Sequence, residues 1–347
     1  MSTYAQPLPG DVGSQYAQLS RRVKQAGLLE RRGGYYATRI ASVGVLLVAT
    51  WTAFVLIGQS WWQLLTAVLL AALFTQVGFI GHDAGHRQIF RSRRANDLLG
   101  LFHANLAIGL SYGWWIDKHN RHHANPNTEG ADPDIVVAPL AFTTGQAGRL
   151  RGVRAAFVRV QGYLFLPLLT LEAMSLHLSS VQAMFRAKLR RRPTEIALLG
   201  THAVLYLTAV FVVLSPLQGL VFIAVHQGLF GVYLGSAFAP NHKGMPILDA
   251  DNQLDYLRRQ VLTSRNVRGG WLVDTALGGL NYQIEHHLFP SMPRANLRRA
   301  QILVRRFCAD NGVDYCETSL WRSWREVLRH LDSVGTVVPE GGLAPGR

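Results

Sequence analysis

The sequence predicts an all-α integral membrane protein, with four transmembrane helices in two hairpins, interfacial or re-entrant helices between them, and a helical cap on the cytoplasmic side. Three observations carry that expectation. Two long stretches lack any charged residue, basic residues are distributed unevenly around those stretches, and three histidine clusters each follow an apolar segment.

Composition sets the frame. Of 347 residues, 49% are hydrophobic and 16% charged, which excludes a disordered or fibrous chain. The two cysteines, Cys308 and Cys316, are too few for a disulfide framework, an iron–sulfur cluster or a four-thiolate zinc site, and a reducing compartment is the expectation. The formal net charge of +14 comes almost wholly from arginine, with 31 arginines and four lysines, a bias that reflects a GC-rich genome and says nothing of nucleic acid.

Residues 40–81 contain no Asp, Glu, Lys or Arg, and neither do residues 196–242. Each stretch is long enough for two crossings of roughly 20 apolar residues, and each carries a polar break near its middle. The breaks are Gln59-Ser60-Trp61-Trp62-Gln63 and Ser215-Pro216-Leu217-Gln218. The predicted hairpins are therefore 40–58 with 63–81 and 197–214 with 218–238, with Trp61 and Trp62 at a membrane interface. Six basic residues precede the first hairpin, fifteen lie between the two, and fourteen follow the second. By the positive-inside rule the termini and the central segment face the cytoplasm, and the expected location is the plasma membrane. The net charge then marks a face beside anionic headgroups.

Two further apolar segments, 98–116 and 160–181, are flanked by basic residues at both ends, and the second is interrupted by Glu172 and His177. They are expected to be interfacial or re-entrant helices. Residues 1–38 are polar and show no cleavable signal peptide. The organisation reads as a cytoplasmic N-terminal segment at 1–39, a membrane domain at 40–310 and a cytoplasmic C-terminal tail at 311–347.

The thirteen histidines are not scattered. His82-Asp83-Ala84-Gly85-His86 follows the first hairpin, His119-Asn120-Arg121-His122-His123 follows the segment 98–116, and Gln283-Ile284-Glu285-His286-His287 follows the second hairpin. On a helix, positions i, i+3 and i+4 share a face, so each cluster aims two or three imidazoles in one direction. All three reach the same side of the membrane only if neither 98–116 nor 160–181 crosses it. Seven imidazoles exceed what one zinc ion takes, and they suit two iron ions in a helical frame. A di-zinc hydrolase is the alternative, and it would need more carboxylates than Asp83 and Glu285, the two the clusters supply.

These three motifs, in this order and with these apolar segments between them, resemble the histidine boxes of the membrane fatty acid desaturase superfamily. The run Asn281-Tyr282-Gln283-Ile284-Glu285-His286-His287-Leu288-Phe289-Pro290 is similar to the acyl-lipid and acyl-CoA desaturases of the front-end (Δ5/Δ6-like) group, including bacterial members. The resemblance covers roughly residues 40–310. It implies an O₂-dependent oxidoreductase that introduces a cis double bond into an acyl chain at a non-haem di-iron centre held in the cytoplasmic cap. The implied iron ligands are His82, His86, His119, His122, His123, His286 and His287. His242 fills the place of a further family histidine, and Gln283 stands where many relatives have histidine. A hydroxylase, acetylenase or ketolase of the same superfamily would use the same ligands.

Neutral imidazoles need acceptors for their second N–H. Asp83, Asn120, Asn125, Asp132, Asp134, Asp274 and Glu285 are close enough in sequence to serve, although several also read as turn residues. The acyl tunnel is expected among the transmembrane helices and the segments 98–116 and 160–181, and Tyr112, Trp114, Trp115 and Phe289, close to the ligands in sequence, are candidates to shape its kink or to anchor the membrane boundary. The sequence carries no haem signature of a fused cytochrome b5 domain, no ferredoxin cysteine run and no nucleotide-binding glycine fingerprint. Electrons are therefore expected from ferredoxin or a ferredoxin-like NAD(P)H reductase. Arg258, Arg259, Arg265, Arg268, Arg298, Arg299, Arg305 and Arg306 form the expected basic surface for it.

Overall fold

The computed structural model describes residues 14–186 and 188–338. The first 13 residues of the N-terminal segment and the last nine of the tail lie outside the described residues. The chain starts with α1 (Gln15–Gln25), whose N-cap Ser14 accepts from the backbone of Ala17, and α2 (Gly33–Ile57). A turn through Gly58 leads to α3 (Gln63–Gly85). Gln63 closes that turn by donating to the carbonyls of Phe54 and Gly58, so the polar break of the first hairpin is internally satisfied. Helix α2 leaves Val45, Leu46, Val48, Val55 and Leu56 more than half exposed, whereas α3 is buried along much of its length. That contrast is expected of an outer, lipid-facing helix beside an inner one.

The segment 98–116 is broken. Helix α4 (Arg93–Gly100) runs into a π-helical stretch, Leu101–Ala107, and the chain turns at Ile108 and Gly109 before α5 (Tyr112–Ala124), N-capped by Ser111. Short helices α6 (Thr144–Gly148), α7 (Gly152–Arg159) and α8 (Gln161–Leu168) follow. A 3₁₀ turn, Leu169–Leu171, then joins α8 to α9 (Glu172–Arg186). The second hairpin is α10 (Arg192–Val213) and α11 (Pro216–His242), joined by a turn capped by Ser215. Both hairpins lie within a residue or two of the predicted positions at their turns and run longer at their outer ends.

Among the described residues, five helical stretches are long and apolar enough to cross a membrane: Gly33–Ile57, Gln63–Gly85, Gln161–Arg186, Arg192–Val213 and Pro216–His242. Four match the predicted hairpins. The fifth covers the segment expected to be interfacial. The protein is a multi-pass membrane protein.

Beyond α11 the cap is built from α12 (Tyr256–Leu262), α13 (Trp271–Ala276), α14 (Gln283–Leu288), α15 (Arg294–Asp310) and α16 (Leu320–Thr336). It also holds two parallel three-residue strands, β1 (Asn266–Arg268) and β2 (Glu317–Ser319), so the fold departs from all-α by one small sheet. A second core beneath α14 and α15 unites Leu19 and Val23 of α1 with Ile284, Leu288, Leu297 and Val304. The segment set apart as a tail includes α16, whose Val327 and Leu331 are buried against Phe165 of α8.

Candidate metal centre

Each histidine cluster sits on a helix end that faces the same space. His82 lies in the last turn of α3 and His86 caps it. His119, His122 and His123 fill the last turns of α5, His242 ends α11, and Gln283, His286 and His287 lie on α14. Nitrogen atoms of His82, His86, His119 and His286 lie within 4.8 Å of one another, as do those of His122, His242 and His287. His123 joins the groups: its Nε2 is 3.1 Å from His119 Nε2, and its ring stacks on His287 with centroids 4.2 Å apart. The Gln283 amide nitrogen is 2.8 Å from His242 Nε2. All nine residues named from the sequence converge on one site.

The protonation pattern shows what the site is built to accept. His122 Nδ1 is 3.0 Å from the Asp132 carboxylate, His242 Nδ1 is 3.0 Å from the Thr263 carbonyl, and His287 Nδ1 is 2.9 Å from Gln260 Oε1. Gln260 spends its amide N–H on the His123 carbonyl, so its oxygen is the acceptor here. His82 Nδ1 likewise meets Asp83 Oδ1 at 3.2 Å. Each acceptor places the ring proton on Nδ1 and leaves a lone pair on Nε2. Burial, reinforced by neighbouring imidazoles, pushes His119, His123, His286 and His287 well below the usual histidine range, so these rings are neutral as well.

Between His242 and His287 lone pairs then face each other at close range, and the ring nitrogens of His86 and His119 are as close. His242 Nε2 and His287 Nε2 are 3.0 Å apart, and His86 Nε2 and His119 Nε2 are 2.9 Å apart. The buried Nε2 atoms of His82 and His286 have no hydrogen-bond partner. Such an array is unfavourable without cations and well suited to two transition-metal ions taking imidazole nitrogen. The residues present fit a two-metal group.

The expected acceptors divide clearly. Asp83 and Asp132 hold His82 and His122, and Asp134 Oδ2 lies 3.5 Å from His122 Nδ1 while pairing with Lys118. Burial alone would raise the Asp132 carboxyl, but the hydrogen bond from His122 takes it below its ordinary value. Asp83 is fixed in turn by Arg294 at 2.6 Å and Tyr36 at 3.2 Å. Glu285 points away from the rings, accepting from Asn266 and Tyr315 at 2.7 Å each, and burial pushes its carboxyl up to about 7. Asp274 accepts from Asn281 and Tyr282 instead of a histidine. Among the described residues, neither Asn120 nor Asn125 bonds a histidine side chain. Gln260 and the Thr263 carbonyl carry no sequence signal and were not anticipated.

An apolar cavity of about 230 Å³ reaches His82, His119, His122 and His242. Its walls include Ala104, Ile108 and Leu110 from the broken segment and Phe165, Leu169 and Leu176 from α8, the 3₁₀ turn and α9, as the sequence anticipates. Tyr112, Trp114 and Trp115 also line it, and Trp115 stacks on His119 with centroids 4.4 Å apart. Phe289 corrects one expectation, since its ring stacks on Tyr16 in the second core, away from the cavity. A polar cleft bearing Arg87, Lys188, Arg190 and Arg191 adjoins the cavity through Tyr112 and Trp114. Arg265 is a second correction: it is fully buried, paired with Glu326 and bonded to the Pro240 carbonyl, and cannot belong to a docking surface. Arg268, Arg298, Arg299, Arg305 and Arg306 are exposed.

The fatty acid desaturase family matches residues 59–319, three quarters of the chain. The chain belongs to that family. Membership makes it an oxidoreductase that acts on fatty acids. A Delta(6)-fatty-acid desaturase of Caenorhabditis elegans is 29% identical over 92% of this chain and 74% of the relative. An acyl-lipid (9-3)-desaturase of Physcomitrium patens is 31% identical over 80% of this chain, and an acyl-lipid 8-desaturase of Rebecca salina is 32% identical over 73%. This chain spans 54% and 59% of those two desaturases. Delta(5) and Delta(8) enzymes are also among the relatives, so the likeness lies with front-end desaturases.

Proposed function

We propose that the protein is an O₂-dependent acyl desaturase that introduces a cis double bond into a fatty acyl chain at a di-iron centre. The observation that carries this reading is the pairing of two facing imidazole groups at the end of an apolar cavity. His82, His86, His119, His123 and His286 would hold one iron, and His122, His242 and His287 the other, with Gln283 beside the second. Bound there, the two ions supply the chemistry by which O₂ and two external electrons remove two hydrogens from the chain and yield water.

The protein's own residues do the rest. Asp83, Asp132, Gln260 and the Thr263 carbonyl orient the rings and keep their Nε2 lone pairs turned inward. The cavity walls exclude water and hold the unactivated chain against the histidines by apolar contact. In the adjoining polar cleft Arg87, Lys188 and Arg190, beside the Arg191–Asp97 ion pair, Asp117 and Glu195, would hold the phosphate-bearing carrier of the acyl chain, whether coenzyme A, the arm of an acyl carrier protein or a phospholipid.

The meeting of His122 and His242, whose rings lie 4.7 Å apart, supports a reading with four membrane crossings. Three candidate spans lie between these residues, and an odd number of crossings would put the rings on opposite sides. One span must stay on its own side. Gln161–Arg186 fits, because it is interrupted by Pro167 and a 3₁₀ turn, and its Glu172 reaches the cavity. By the positive-inside rule the basic segments support a cytoplasmic side for the site and termini, and the plasma membrane is the location we propose. The exposed arginines of α15 would steer an acidic ferredoxin-type donor fed by NAD(P)H.

The test is expression in a host supplied with ferredoxin and its reductase, followed by gas chromatography and mass spectrometry of total fatty acids. A new alkene supports the reading. An added hydroxyl in its place would make the protein a hydroxylase.

A further inference from the structure

Three histidines outside the site lie on the apolar helices: His177 on α9, His202 on α10 and His226 on α11. Ionisable side chains at such depth are costly and call for a role. Two of them bind the break that follows the π-helical stretch. Where the helix stops, the Leu106 and Gly109 carbonyls lose their helical partners, because the Ser111 amide turns to Ser180 Oγ at 2.9 Å and the Gly113 amide to Glu195 at 3.2 Å. His202 Nδ1 lies 2.9 Å from the Leu106 carbonyl, and His177 Nδ1 lies 2.9 Å from that of Gly109. A carbonyl only accepts, so both rings donate. The second nitrogen of His177 lies 3.1 Å from Gln227 Oε1, so the same ring packs against α11.

The contact is close. Gly109 has a φ of +70°, and a Cβ there would sit 2.5 Å from His202 Cδ2, so only glycine lets the backbone approach the ring. The residues on either side, Ile108 and Leu110, form part of the cavity wall, together with Gly78 and Leu176.

We propose that His177 and His202 are positioning residues that pin the broken segment, fix the wall made by Ile108 and Leu110, and so set which carbon pair of the acyl chain meets the histidine clusters. This rests on the desaturase reading. The imidazoles touch neither the candidate metal site nor the cavity, and their effect is on depth and register. A displacement of about 1 Å in such a wall is enough to cost about 100-fold at the carbon pair it would otherwise present.

The experiment measures double-bond position, chain-length preference and iron content for the full-length protein and for His177→Ala, His202→Ala and the double variant. The double variant should keep its iron and shift positional or chain-length preference by about tenfold, the worth of roughly one methylene in an apolar pocket. His202→Asn, whose Nδ2 donates from nearly the same place as the imidazole Nδ1, should restore the original preference, which a packing role alone would not produce. Ile108→Ala moves the wall without touching a histidine and should shift the same preference, so the proposal stays testable if the alanine double variant fails to accumulate. An unchanged product distribution in the double variant, or in Ile108→Ala, overturns the proposal. Failure of the desaturase reading would show separately, as an absence of alkene from the unaltered protein.

Discussion

His242 Nε2 lies 3.0 Å from His287 Nε2, although each ring has its other nitrogen turned to an acceptor, the Thr263 carbonyl for one and Gln260 Oε1 for the other. Two neutral imidazoles so held point lone pairs at each other, and a shared cation turns that repulsion into coordination. The two acceptors are therefore as much a part of the site as the histidines.

Gln260→Leu removes the acceptor that fixes the His287 ring. The expected result is about a 10- to 100-fold loss of affinity for the metal nearest His242, with overall fold retained. Titration of metal-free protein with ferrous ion, read by bound iron per chain, checks it.

Asp132→Asn replaces the carboxylate that orients His122 and also accepts from the Asn127 and Asp134 amides. An amide retains one acceptor oxygen but not the charge. Activity and iron retention should both fall by about one to two orders of magnitude. Asp274→Asn, a carboxylate that holds no histidine, should lower neither by more than about threefold when the two are assayed side by side.

Arg294 and Asp83 form an ion pair whose side chains are 6% and 2% exposed. Removing one partner strands a buried charge, so Arg294→Met should cost about 3–5 kcal/mol, visible as a lowered unfolding temperature in detergent. The double variant Arg294→Met with Asp83→Asn should be less destabilised than Arg294→Met alone, because no unpaired charge is left.

An iron chelator should abolish desaturation. Ferrous ion should restore it and zinc should not, since zinc fills the same imidazole sites without redox chemistry. Product formation after each addition is the measurement.

The parts of this protein legible in its sequence are those set by local spacing. His119, His122 and His123 share a helix face because of their intervals, and the two hairpins follow from uncharged stretches interrupted by polar turns. What eluded the sequence depends on contacts between distant residues. Gln260 meets His287 across 27 residues of chain, and Thr263 contributes a carbonyl that any residue would have. Arg265 looks like a surface arginine until Glu326, 61 residues on, is folded against it. The strands Asn266–Arg268 and Glu317–Ser319 are too short for an alternating pattern. The segment 98–116 has the length of a span, but its break at Gly109 leaves it without one continuous helix of that length.

The central claim is that the two facing imidazole groups hold a pair of iron ions. The most direct measurement is the iron content of the purified protein after anaerobic loading, with Mössbauer spectroscopy of the bound metal. The account predicts two irons per chain in nitrogen-rich environments, falling to about one when His242 and His287 are replaced by alanine, since that removes two of the three imidazoles grouped around the second ion. A single iron in the unaltered protein, or zinc bound in preference to iron, would contradict it.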